Sequence, residues 1–203
     1  MRNAIYIVGG GPSLKGFDFS QLADKDTIAV NSAIKDVPEP TYFITSCTGF
    51  CTRVVSKLFY GVKTHRIMVI GERHPKYKKV KRLLPIFDEV IDPITSGGEL
   101  GFDWDSFAVG GNSGFCALQY AVLLGYKIIY LLGIDVQIKN GLHYHNRYSI
   151  IEKEVIWWKA CFEKGLSIIK ENSDVKVYSC SAISDLNATI PFIDFKDIKN
   201  ELA

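Results

Sequence analysis

Four apolar residues, Ile5 to Val8, run directly into Gly9-Gly10-Gly11-Pro12-Ser13. An apolar run this short, closed by glycine and proline, predicts a buried strand ending in a tight turn, with Pro12 at the first position of a helix. Without Cβ atoms the three glycines allow positive φ and close approach of a ligand, so the turn is expected to present free N–H groups to an anion. The pattern is neither the GxGxxG dinucleotide fingerprint, whose third glycine would fall on Ser13-Leu14, nor a P-loop, which needs Gly-Lys-Ser/Thr. A strand-to-helix turn without any ligand explains the same residues.

The motif then repeats along the chain. Lys15 to Asp26 reads as a polar helix, and Thr27 to Val30 as a second strand ending at Asn31-Ser32. Pro38-Glu39-Pro40 leads into a third strand, Tyr42 to Ile44, which runs out in Thr45, Ser46, Cys47, Thr48 and Gly49. A helix over Thr52 to Tyr60 and a strand over Arg66 to Ile70 follow, with Asp88 to Pro93 as a short strand or connector. Thr95 to Gly111 is a long loop or flap. Helical spacing covers Phe115 to Leu124, and Lys127 to Leu132 is the most apolar strand. Ile150 to Lys170 is a long helix with Val155, Trp158, Cys161, Phe162, Leu166 and Ile169 on its apolar stripe. Val175 to Ser179 supplies the last strand, and Pro191 to Leu202 a short polar closing segment. Alternating strands and helices predict α/β architecture: a single Rossmann-like domain over residues 1–203, with a mostly parallel sheet and helices on both faces.

Composition narrows the function. Hydrophobic residues make up 47% of the chain, which excludes disorder, and a formal charge of +2 gives no strong nucleic-acid signal. Five cysteines, an odd number without a CxxC pair, fit reduced thiols and a cytoplasmic setting. No apolar leader precedes the first strand. The stretch Phe115 to Val136 is interrupted by Gln119, Gly125, Lys127, Gly133 and Asp135, so no membrane segment is expected. A homo-oligomer is compatible with all of this.

In a doubly wound sheet the strand tips gather at one edge, where ligands bind. The candidate nucleotide contacts are therefore Gly9, Gly10, Gly11 and Ser13 on the first turn, Asn31 and Ser46 on the next two, and Asn112, Ser113 and Gly114 on a second small-residue turn. Asn112 or Ser113 would cap the helix behind that turn, giving a second anion site. Asp135 closes the apolar strand; the sheet core offers it no structural partner, so it serves either the ligand or a cap on the turn that follows. A loop or lid at about 138–150 carries His143, Tyr144, His145, Arg147 and Tyr148, a density of titratable and hydrogen-bonding groups that points to a site; His143 and His145 with Asp135 could also hold a metal, and surface histidines without a role are the plainer reading. Two other patterns have plainer explanations. Asp103-Trp104-Asp105 has the DxD form of a divalent-metal site but also arises by chance, and the run containing Arg73, His74, Lys76, Lys78, Lys79, Lys81 and Arg82 is either a solvated face or a surface for an acidic partner or acceptor.

GGGPSL near the start, Asn31 after the second strand, the Asn112-Ser113-Gly114 turn, LGYKIIYLLGID at Leu124 to Asp135 and VKVYSCS at Val175 to Ser181 together resemble the bacterial CMP-sialic-acid sialyltransferase family. The LLGIDVQ and HYH segments with the following tryptophan pair look more similar still to uncharacterised bacteriophage proteins, themselves akin to that fold and to an archaeal group making pterin pyrophosphates. The resemblance implies an inverting, metal-independent transfer from a nucleotide-activated sugar, with no cofactor besides that donor. It assigns Gly9, Gly11 and Asn31 to the nucleotide, Ser113 to the substrate, Tyr144 to the phosphate and His145 to the role of general base, with His143 as the second choice. A cytoplasmic protein of a phage-infected host follows from it. The family has an Asn where this chain has Gly10, and a longer lid, so the sugar and the acceptor are left open. A nucleotide-dependent pyrophosphokinase and a non-catalytic phage morphogenesis protein are the alternatives.

Overall fold

A computed structural model describes residues 3–55, 63–137 and 152–198. Seven strands form one sheet: β1 (Ala4–Val8), β2 (Thr27–Val30), β3 (Tyr42–Thr45), β4 (His65–Val69), β5 (Glu89–Ile91), β6 (Ile128–Leu132) and β7 (Lys176–Ser179). Their order is β5-β4-β3-β2-β1-β6-β7, and every pairing is parallel. Strands in such a sheet are covered on both faces, which explains why β1 and β6 are apolar without alternation. Alternate residues still part company: Ile5 and Ile7 enter one core, Tyr6 and Val8 the other.

Among the described residues four α-helices accompany the sheet, two of them very short: α1 (Thr48–Phe50), α2 (Tyr77–Val80), α3 (Ser113–Leu123) and α4 (Glu152–Asn172). From β1 to β5 the chain steps outward in one direction; from β5 it returns past β1 and continues outward the other way through β6 and β7. Right-handed crossovers then place the two sets of connections on opposite faces. The long helices α3 and α4 pack on the first core, where the Phe115 and Phe162 rings meet edge to face at 5.6 Å. Burying each of these rings contributes about 1.5–3 kcal/mol. Ten of the eleven residues of α3 are buried, so it is a helix apolar all round, enclosed between sheet, α4 and the loop before it. No helix among the described residues is long and apolar enough to cross a membrane.

The other face is covered by short turns, and several expectations change there. The polar helix expected over Lys15 to Asp26 is only one 3-10 turn, Phe19–Leu22, capped by the Asp18 side chain. Gly16 at φ 79° and Asp24 at φ 62° break the run on either side of it. The helix expected over Thr52 to Tyr60 begins earlier, as α1 and a π turn Cys51–Val55, and its remainder lies outside the described residues. The closing segment is not merely polar: Phe195 and Ile198 are buried against Tyr6 and Leu14 in the second core.

The loop Thr95 to Gly111 is tied down along its length. Ile94 N donates to Phe107 O, Val109 N to Thr95 O and Gly110 N to Gly97 O. Gln119, fully buried in α3, accepts from Ala108 N at 2.8 Å and donates to Gly101 O and Ser106 O. An open flap has no such anchor, so this segment is a packed wall of the domain.

Candidate functional site

The register of the sheet decides which strand tips meet. Val8 pairs with Leu132, so the turn after β1 faces the turn after β6. Val30 pairs with Ile44, so Asn31 stands level with Thr45. Two neighbouring polar groups result, and they differ in kind.

At the first, the glycine turn closes on the chain itself. Gly9 N donates to Leu132 O and Gly11 N to Gly133 O, both at 2.8 Å. Ser13 N and Oγ both donate to the Asp135 carboxylate, at 2.8 and 2.7 Å. These N–H groups are therefore not free for an anion, contrary to the expectation from sequence. None of the three glycines has positive φ, and the helix begun by Pro12 is a single 3-10 turn, Pro12–Leu14. Glycine is required for another reason: a Cβ on Gly9 would fall 2.5 Å from Gly133 O, and one on Gly11 would fall 2.7 Å from the same atom and 2.6 Å from Asp135 Cγ. Asp135, 3% exposed, has the structural partner that its position in the sequence did not reveal. Its carboxylate is the clamp that joins β6 to the first turn.

At the second, four side chains from three separate segments converge. Asn31 Oδ1 accepts from Thr45 Oγ1 at 2.7 Å and from Ser113 Oγ at 3.2 Å. Ser46 N donates to Ser113 Oγ at 2.9 Å, and the two serine hydroxyls lie 3.0 Å apart. Thr45 Oγ1 also accepts from Cys47 N. Asn31 is half-buried with φ 52°, a left-handed backbone that Asn tolerates far better than other residues with a side chain. Both of its bonds fall on Oδ1, so the carboxamide is held in place while its Nδ2 donates to no described residue. A strained residue carrying an oriented, unengaged donor at a strand tip is a natural contact for a phosphate, ribose or base carbonyl.

Asn112 frames this group from the α3 side. Its side chain caps α3 by accepting from Phe115 N at 3.0 Å, which makes Ser113 the first helical residue rather than the cap. Gly111 just before it has φ 74°, and a Cβ there would collide with Trp157 and Trp158, 2.7 and 2.9 Å away. The tryptophan pair thus packs on the rim beside the turn, with Trp157 half-exposed. Gly114 is buried within α3.

His143, Tyr144 and His145, with the rest of the 138–150 segment, lie outside the described residues. Of the other histidines, His65 pairs with Glu89 at 3.3 Å at the beginning of the strands, and His74 is exposed. The buried thiols are inert as nucleophiles, since burial pushes Cys51 and Cys116 up to about 12. Asp103 and Asp105 are exposed beside Trp104, whose ring packs on Tyr120. Tyr120 lies two turns down α3 from Ser113 and bonds to Glu89 at the start of β5, so the DxD residues sit at the opposite end of the sheet from the polar group. Among the described residues no three His, Cys, Asp or Glu side chains group as metal ligands.

Thr45 is the member of the group that sequence reasoning left out of the site. Its type and its place at a strand tip were visible, but its bond to Asn31 depends on the β2/β3 register, which the sequence does not display.

No protein-family model and no curated protein sequence matches the chain. Solved structures do match. The sialyltransferase CstII from Campylobacter jejuni in complex with the substrate analogue cytidine-5'-monophosphate superposes with a TM-score of 0.57 over 94% of this chain and 84% of that one, at 19% identity. CstII in complex with CMP-3FNeuAc gives 0.55 over 95% and 86%, at 18% identity. The alpha-2,3-sialyltransferase from Campylobacter jejuni in apo form gives 0.54 over 94% and 80%, at 19% identity. The likeness spans nearly the whole chain, and this protein is similar in fold to those sialyltransferases.

Proposed function

We propose that this protein is a glycosyltransferase that moves a sugar from a nucleotide-activated donor, of the CMP-sugar kind, to an acceptor hydroxyl with inversion and without a metal. The observation that carries the proposal is the oriented Asn31 carboxamide between Thr45, Ser46 and Ser113, in a fold similar over 94% of the chain to CstII in complex with cytidine-5'-monophosphate. Asn31 Nδ2 contacts the nucleotide, and Ser46, Asn112, Ser113 and Gly114 form the wall on the α3 side. The Gly9 to Ser13 turn, with Asp135 behind it, is the opposite wall; Gly10, Pro12 and Ser13 are its partly exposed residues.

His145 takes the proton of the acceptor hydroxyl, a task that suits a neutral imidazole near pKa ~6.5. The acceptor oxygen forms its bond to the anomeric carbon while the bond from that carbon to the phosphate oxygen breaks, and the nucleotide leaves with the electron pair. The Tyr144 hydroxyl stabilises the charge gathering on the phosphate, and His143 is the alternative base.

Thermal shift with CMP, UDP, GDP, ADP and their sugars, each with and without magnesium, tests the reading. A nucleotide at 100 times its Kd stabilises the fold by ~2.7 kcal/mol. The expected result is a magnesium-independent shift with a cytidine nucleotide, about halved in Asn31→Gly. A shift only with ATP and magnesium favours the pyrophosphokinase alternative, and no shift with any nucleotide overturns the transferase.

A further inference from the structure

Six cations, Arg73, Lys76, Lys78, Lys79, Lys81 and Arg82, fall within ten residues that contain no acid. All six are exposed. Every acidic residue of the chain except Glu201 is among the described residues, and none forms an ion pair with any of the six. Two acids lie beside them: Glu72 accepts from the Tyr77 hydroxyl, and Asp92 packs against Gly71. Two cations elsewhere on the surface are paired, Arg66 with Asp88 and Lys164 with Glu99. Six unpaired cations on one short stretch repel one another, a cost that a bound polyanion reverses.

The stretch also has a defined place. It leaves the carboxyl end of β4, forms α2, and packs there against α1 and the Cys51–Val55 turn. That turn is joined to Ser46 and Cys47 through α1, so the basic stretch and the Asn31 group both lie at the carboxyl edge of the sheet. Arg53 on the same turn is exposed as well and adds to the positive field.

We infer that this face binds the acceptor, and that the acceptor is a polyanionic glycan bearing carboxylate or phosphate groups. Calling the glycan the acceptor rests on the transferase reading; binding of the polyanion does not. The surface itself favours a glycan. Tyr77 is half-buried with its hydroxyl engaged, and the exposed His74 ring is tied through Nδ1 to Lys76 N, so the stretch carries no exposed Phe, Tyr or Trp ring on which single-stranded bases stack. Val80 is buried, and Leu83, Leu84 and Ile86 pack against the core beneath, so no apolar side chain is offered to a membrane.

The test is binding of fluorescently labelled hexagalacturonate, with neutral maltohexaose as the control of equal length. Binding to the acidic hexamer alone is expected, weakened by salt and reduced at least about tenfold in Lys78→Glu/Lys79→Glu/Lys81→Glu/Arg82→Glu. Because all four positions are exposed, the melting temperature and the nucleotide-induced shift of this variant should equal those of the parent. A Lys/Arg→Gln version, also weakened, guards against loss of fold. Equal binding of both hexamers, undiminished binding by the variants, or tighter binding to single-stranded RNA or phosphatidylserine vesicles overturns the inference. If hexagalacturonate binds while no nucleotide does, the basic face stands and the transferase reading falls.

Discussion

Two polar groups stand side by side at the carboxyl edge of this sheet, built from the same small vocabulary of Gly, Asn, Ser, Thr and Asp, and they do different work. Between β1 and β6 the groups bond to one another and the glycines are packed on backbone, so the turn is a fixed structural joint. Between β2, β3 and α3 the bonds converge on one oxygen of Asn31 and leave its amide nitrogen available. The contrast teaches that a glycine-rich tip signals a ligand only where its donors are not already engaged within the fold.

The contrast can be broken most directly at Gly11. Gly11→Ala forces a Cβ against Asp135 and Gly133 O, and a loss of about 1–3 kcal/mol or more is expected in urea unfolding. A loss under about 0.5 kcal/mol shows that the first turn has room for a ligand after all. Asp135→Asn comes next: it removes the charge from the bonds to Ser13, with about 1–2 kcal/mol of stability lost and nucleotide affinity following stability rather than falling further. Asn31→Gly sharpens the other side, because Gly keeps the positive φ while deleting the carboxamide. Stability should fall by about 1 kcal/mol, because the buried Thr45 and Ser113 hydroxyls lose their acceptor, while the nucleotide Kd measured by calorimetry rises about tenfold, or ~1.4 kcal/mol. A stability loss as large as that of Gly11→Ala, with affinity intact, would make the Asn31 group a joint too.

The smallest effect belongs to a pair remote from both groups. Arg66 holds Asp88 through its main-chain N, Nε and guanidinium, which lowers the Asp88 pKa to about 2. Since the folded value lies below the unfolded one of ~3.9, the stabilisation is present above about pH 4 and is lost as the pH falls through about 2. The pair is partly exposed, so Asp88→Asn should cost under ~1 kcal/mol at pH 7, and the gap to the parent should close across that acid window.

Most of the fold was legible because strands buried on both faces must be apolar throughout, and their tips must be polar or glycine. The strands β1, β2, β3, β4, β6 and β7 appear at or within a residue of their expected places. The connectors were less legible. Lys15 to Asp26 is polar enough for a surface helix, but Gly16 and Asp24 confine it to one turn, and the tail's Phe195 and Ile198 are too few to announce that they close a core.

The sequence by itself determined the alternation that makes a parallel α/β sheet, and it determined the residue types at the strand tips, Gly9, Asn31, Thr45 and Asp135, and at the start of α3, Ser113. Pattern is a local property, and the period of the chain carries it. Which tips bond to which was decided only by the tertiary structure. The strand order places β6 rather than β3 beside β1, and so hands Asp135 to Ser13 and Thr45 to Asn31. Those partners lie 122 and 14 residues apart, a separation at which only register and packing choose the hydrogen-bond acceptor, and with it whether a donor remains for a ligand.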